Sequence, residues 1–144
     1  MAVVIANRIS LARSMIAEMI EQARSVAPEE CCGLIGSCDG ERGTSLYPAR
    51  NLARNRLTEY EASPEDLFAS QREMRNRKEE LLAIYHSHPG SADPRPSPTD
   101  IRLAFYPEAI YFIIGLGTEP IIRAFSIDES RGSCAEVSFQ VVED

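Results

Sequence analysis

The sequence is short of basic residues, short of cysteine and without a long hydrophobic run, and each shortage removes a class of function. Lys and Arg number 15 against 22 Asp and Glu, leaving a formal charge of −7 and a pI near 4.9. Nucleic acid is therefore not the expected partner, since its phosphates would be repelled. The one basic run, Arg72, Arg75, Arg77 and Lys78, falls in a helical stretch and is expected to be a solvated face. The longest apolar stretch, Ala109 to Leu116, has the length of a strand, far below the roughly 20 residues that span a bilayer. Met1 to Ile9 lacks the basic start and sustained apolar core of a signal peptide. Neither membrane nor secretion is expected, and the 4 cysteines then read as reduced thiols in a cytoplasm, not as a disulfide framework. A glycine-rich phosphate cradle, an internal repeat and a low-complexity segment are all missing.

What is present is enough apolar material for a core: 144 residues, 44% hydrophobic and 26% charged, expected to form a single domain over 1–144. Ser10 is positioned to cap a helix from about Leu11 to Ser25. Leu11, Met15, Met19 and Ala23 form one stripe of it, with Ala12, Ile16 and Ile20 beside them. A strand Cys32 to Ser37 turns at Asp39-Gly40 into another around Thr44 to Tyr47 that Pro48 closes. Leu57 to Glu61 reads as an edge strand, and Ser63-Pro64-Glu65-Asp66 as a capping box opening a helix to about Arg77. Strands follow at Leu81 to His88, Ala109 to Leu116, Ile121 to Ile127 and Ala135 to Val142, with a short helix from Pro98. The fold class is α/β, a mixed sheet flanked by helices.

Histidine is scarce and is the most informative residue type. The 2 histidines stand one residue apart in His86-Ser87-His88-Pro89, at the end of the apolar run Leu81 to Tyr85. Strand alternation puts both imidazoles on one face, where they can share a small cation. Zinc takes nitrogen and carboxylate oxygen in a tetrahedron, and a catalytic zinc leaves one corner to water. Asp100 is the candidate third ligand. Ser97-Pro98 has the form of a helix start, with serine at the cap, proline first and an acid three residues on, and the turn-rich loop Pro89 to Pro96 can fold that start back towards the strand. The same pair also reads as a plain capping box. The two roles are compatible, because a cap fixes the turn that presents the ligand.

Hydrolysis also needs a base. Glu29 and Glu30 precede the apolar run Cys31 to Gly36, and a carboxylate at the mouth of a buried strand is partly desolvated, which raises its pKa. Pro-Glu-Glu alone reads more readily as a solvated turn after a helix, and gains weight only through its neighbours. A structural zinc built from Cys31 or Cys32 with Cys38 or Cys134 and the histidines is the competing metal reading, but it lacks Cys-x-x-Cys spacing. Cys31 and Cys32, adjacent and so on opposite faces, read as buried packing.

From about Ser10 to Asp128 this order of elements and motifs resembles the JAMM, or MPN-plus, zinc metalloproteases in their prokaryotic stand-alone form. That pattern is a glutamate three residues ahead of a Gly-Leu strand, then His-x-His-Pro, then Ser-x-x-Asp. The resemblance selects Glu30 as general acid/base and His86, His88 and Asp100 as ligands of one zinc per chain. It makes Ser97 the residue that helps hold the oxyanion. It implies an MPN fold and cleavage of peptide or isopeptide bonds after the Gly-Gly tail of ubiquitin-like or sulfur-carrier proteins. An added tail strand would lie on an exposed edge, for which Leu57 to Glu61 is the expected site. One departure is visible: seven residues, Gly90 to Pro96, separate Pro89 from Ser97, against six in the family pattern. Metal-free MPN domains act as assembly scaffolds, which is the alternative function, although they lack part of the ligand set. A zinc deaminase is disfavoured by the missing Pro-Cys-x-x-Cys. No long insertion of the kind that holds a distal ubiquitin is evident, so low activity on generic ubiquitin chains is expected.

Overall fold

A computed structural model describes residues 8–144, so the reading of Met1 to Ile9 as no signal peptide lies, up to Asn7, outside the described residues. The elements in chain order are β1 (Ser10–Ala12), α1 (Arg13–Val26), β2 (Cys32–Ser37), β3 (Ser45–Ala49), α2 (Pro64–Asn76), β4 (Glu80–His88), α3 (Pro98–Arg102), β5 (Ile110–Gly115), β6 (Ile121–Asp128), β7 (Ser133–Val137) and β8 (Gln140–Val142). Six strands form one mixed sheet in the order β3-β2-β4-β5-β6-β7, and β1 pairs with β8 in a separate two-stranded sheet. Within the larger sheet only β4 and β5 run parallel. A parallel pair cannot be closed by a hairpin, and here the crossover carries α3.

The central strands β2, β4 and β5 are buried on both faces, so they read as unbroken apolar runs. Alternation sends Ile35, Ala83, Tyr85, Phe112 and Ile114 to the face covered by Met15, Met19 and Ala23 of α1 and by Leu11, which lies in β1 and not, as expected, in the helix. Leu34, Ile84, Tyr111, Ile113 and Phe125 line the opposite face, with Met74 of α2. Each such side chain contributes about 1.5–3 kcal/mol on burial. Gly33 has a specific cause: the Tyr85 hydroxyl, bonded to Gln22 Oε1 at 2.5 Å, crosses the space a Cβ on Gly33 would fill. Among the described residues no helix is long and apolar enough to cross a membrane, and the run Arg72 to Lys78 presents exposed cations at Arg72, Arg75, Arg77 and Lys78.

Several expected boundaries are corrected. Ser10 does not cap α1. The cap position is Ala12, with no side-chain bond, because Ser10 is drawn into β1 opposite Gln140 and donates its N–H to Glu41. The strand expected over Ala135 to Val142 breaks in two. Phe139 turns inward to meet Phe112 edge-on at 5.0 Å, so β7 ends and β8 leaves to join β1. Leu57 to Glu61 is not a strand. Residues 56–58 turn, Leu57 is exposed, and the segment is held by the Asn51 side chain and an isolated bridge between Asn51 and Ala62. β3 continues through Pro48, which an edge strand tolerates. Ser63 caps α2, but the reciprocal half of the box is absent, since Asp66 turns instead to Arg50.

Candidate metal centre

The site forms where β4 leaves the sheet. His86 sits mid-sheet, opposite Cys32 on one side and Ile113 on the other. Alternation carries His88 to the same face, and the intervening Ser87 points away. Ser87 is not idle: its Oγ accepts the Cys31 N–H at 2.8 Å, fixing the chain beside Glu30. Glu30 is held further by its own N–H to Arg56 O at 2.8 Å and by Asn51 Nδ2 on its carbonyl at 2.9 Å.

The loop after His88 is also built, not loose. Ser91 N–H bonds back to His88 O, and Gly117 N–H donates to Ser91 O at 2.9 Å. A Cβ on Gly117 would press on Ser91 and Ala92 backbone at 2.6 and 2.7 Å, so only glycine lets the loop lie there. Pro94 is fully buried. The loop delivers Ser97 as cap of α3 in a complete capping box: Asp100 N–H to Ser97 Oγ at 3.0 Å and Ser97 N–H to Asp100 Oδ2 at 2.9 Å. The additional loop residue thus leaves the helix start intact.

The structure brings His86, His88 and Asp100 together. The two Nε2 atoms are 3.1 Å apart, and Asp100 Oδ2 lies 3.1 Å from His86 and 3.0 Å from His88. Ligands about 2.0 Å from a tetrahedral zinc are spaced by about 3.3 Å, so the three atoms already outline one face of such a tetrahedron. Glu30 offers an oxygen within 4.8 Å of both rings, farther than Asp100, which suits a base beside the cluster better than a ligand in it. At this site two buried side-chain atoms lack partners, His86 Nδ1 and Glu30 Oε1. No cysteine joins the cluster: Cys38 and Cys134 are exposed, and Cys31 and Cys32 are packed in the core, their thiols pushed up by burial to about 11 and about 12.

Burial and mutual contact set the charge of each member of the cluster. Burial works to raise the Asp100 pKa, but the two imidazoles outweigh it and hold the carboxyl far below its usual range. Burial depresses His86 below its ordinary value, against the opposing pull of Asp100. At His88 burial acts in the same sense, and the Asp100 carboxylate overcomes it and raises the pKa. Glu30 is pushed up to about 7, first by burial, with Asp100 and Glu59 adding and His88 opposing. One contributor escaped sequence reasoning: Tyr60 stacks on the His86 ring at 4.5 Å and 24°. It stands in a polar connection with no periodicity, and no sequence signal singles it out.

With that geometry in place the comparisons are decisive. The family model described as prokaryotic homologs of the JAB domain matches residues 12–128. The chain belongs to this prokaryotic JAB family. A desampylase of Haloferax volcanii is 33% identical over 130 residues, covering 87% of this chain and 93% of that protein. A CysO-cysteine peptidase of Mycobacterium tuberculosis is 31% identical over 101 residues, 69% of this chain and 68% of its own. Among solved structures, a Desulfitobacterium hafniense protein superimposes with a TM-score of 0.83 at 31% identity, over 94% of both chains. The mixed sheet with flanking helices is the JAB family's fold, as expected, and the family's named relatives are hydrolases.

Proposed function

We propose that this JAB-family chain is a zinc-dependent hydrolase that cleaves a peptide or isopeptide bond after the Gly-Gly tail of a ubiquitin-like or sulfur-carrier protein. The observation that carries the proposal is the triangle of His86, His88 and Asp100, with an orphaned glutamate oxygen beside it. His86, His88 and Asp100 would hold one zinc per chain, which supplies a Lewis acid and brings the acidity of water into the neutral range. Glu30, with a pKa near working pH, takes a proton from water and returns it to the departing amine. Ser97 Oγ uses a lone pair for the Asp100 N–H, which leaves its own proton free to donate to the developing oxyanion. Tyr60 and Asp100 fix the His86 ring from its face and its Nε2 edge.

The carrier is supported by the relatives, a desampylase and a CysO-cysteine peptidase, and the Gly-Gly tail is what the family resemblance implies. The expected edge at Leu57 to Glu61 is replaced by a shorter one. Tyr60 makes no backbone hydrogen bond, and the partners of Glu61 lie on the Asn51 and Leu52 side, so an extended tail has the Tyr60 peptide group to pair with. We place the reaction in the cytoplasm on its four free thiols.

The test is metal content and turnover together. Wild type should bind about one zinc per chain, His88→Ala should lose it, and Glu30→Gln should keep it while losing turnover of carrier-tail substrates by at least about a hundredfold. A wild type that takes up no supplied zinc overturns the proposal in favour of the scaffold, and wild-type turnover in Glu30→Gln removes Glu30 from the chemistry.

A further inference from the structure

Arg123 interrupts the apolar run of β6, Ile121-Ile122-Arg123-Ala124-Phe125. Register fixes its place: His86 is opposite Ile113, and Ile113 is opposite Arg123. Arg123 therefore stands in the same row and on the same face as His86, two strands away and about 10 Å across the sheet. A cation in such a row is retained where it is paired, and its partners come from two directions. Glu136 of β7, diagonal to it across the strand pair, meets Nη1 at 2.9 Å. Asp93 Oδ1, from the loop Gly90 to Pro96, lies 2.7 Å from Nε. The Nε hydrogen is not aimed at that oxygen, so charge holds the contact.

Asp93 is the middle residue of the seven that separate Pro89 from Ser97. Its second oxygen accepts Arg95 Nε at 3.1 Å, and its N–H is donated to Ser91 Oγ at 3.1 Å. Arg95, and after it Arg123, holds the carboxyl below its ordinary value. Uncharged contacts seat the loop on either side: Gly117 N–H on Ser91 O, and Pro94 against Gly115, where a Cβ would come within 2.9 Å of Pro94 Cδ. Neither of these reaches β6. A loop one residue longer than the family pattern has more freedom to lose on ordering, and the residue at its centre is the one fastened to β6. From there Pro94, Pro96 and Pro98 fix φ at three of the next five positions, so a displacement of Asp93 is passed along a stiff segment to the Ser97–Asp100 box.

We propose that Arg123 is a positioning residue of the metal centre: by fastening Asp93 it sets where the loop delivers Ser97 and Asp100 to the two histidines. The inference rests on the metal-site reading above for its purpose, whereas the fastening of the loop stands on the contacts themselves. Ion pairs open to water add little to stability, and here the Arg123 side chain is 30% exposed and that of Asp93 53%. The consequence is therefore read in the placement of a ligand and not in the stability of the fold.

The experiment is a double-mutant cycle on zinc affinity, read by competition with a zinc-binding dye in wild type, Asp93→Asn, Arg123→Met and the double variant. Each single variant should bind zinc about threefold to tenfold more weakly, less than the loss typical of groups that touch a ligand directly. The Tm of the metal-free protein should not change. The double variant should be no weaker than the worse single one, because both changes remove the same contact. Glu136→Gln, which alters Arg123 on the side away from the loop, should bind zinc as wild type does. A second readout needs no metal: the Ser97 and Asp100 amides, which close the capping box, should exchange about threefold to tenfold faster in Asp93→Asn. Unchanged zinc affinity, additive losses in the double variant, an equal loss in Glu136→Gln, or unchanged amide exchange overturns the positioning role. A wild type that takes up no zinc defeats the proposed hydrolase, and amide exchange then decides the role of Arg123 alone. A protein that cleaves carrier tails and whose Arg123→Met variant binds zinc as tightly as wild type keeps the hydrolase and loses the positioning residue.

Discussion

Glu79 is 7% exposed and yet accepts hydroxyl protons from Thr44 and Ser45, each at 2.5 Å, and from Tyr47. Burial pushes its pKa up, but those bonds and Arg77 outweigh burial and leave the carboxyl below its ordinary value. A folded pKa below the unfolded one means stability that is complete above the unfolded pKa of about 4.3 and drains away as pH falls through the folded value. Urea unfolding of the wild type should therefore weaken more steeply below about pH 4.3 than that of Glu79→Gln, which itself should cost about 1–3 kcal/mol at neutral pH. Equal acid slopes would show that Glu79 does not set them. Sequence reasoning singled out Glu30, His86, His88, Ser97 and Asp100 because each stands in a short spaced motif. It passed over Glu79 and Tyr60 for one physical reason: the partners of Glu79 lie 32 to 35 residues earlier, and Tyr60 meets His86 only across the fold.

At the scale of elements, the loop Gly90 to Pro96 is what carries Asp100 to the histidines, and Gly117 is its seat. Gly117→Ala puts a methyl against backbone that has no rotamer to change, so the loop must shift. Zinc affinity should fall by about tenfold to a hundredfold, as for other losses of support behind a ligand, with both histidines untouched. Competition with a zinc-binding dye measures it, and unchanged affinity would mean the loop adapts freely. Strands β2 and β4 were legible almost residue for residue, as runs with apolar character on both faces. The α1 stripe was equally plain. The β1–β8 pair was not, because a parallel pairing between Ser10 and Gln140 leaves no local trace. Nor was the break before β8, where one inward Phe139 ends an otherwise regular alternation.

For the molecule as a whole, the proposed zinc would link metal binding to stability. Zinc at a hundred times its Kd stabilises by about 2.7 kcal/mol, which for a chain of this length raises Tm by roughly 5–10 °C. Stripping zinc with a chelator should lower Tm by that amount in the wild type and leave His88→Ala unmoved; a shift of the same size in both would place the metal elsewhere. The site's residues also enter at different sequence distances. His86, His88 and Asp100 fall within one short stretch of chain, seated from outside it by Gly117. Glu30 arrives only when β2 pairs with β4 and Cys32 comes opposite His86. In the proposed hydrolase the ligands would be set by the seating of the loop on Gly117 and the base by the closing of β2 on β4, so cutting power would be withheld until the central sheet has closed.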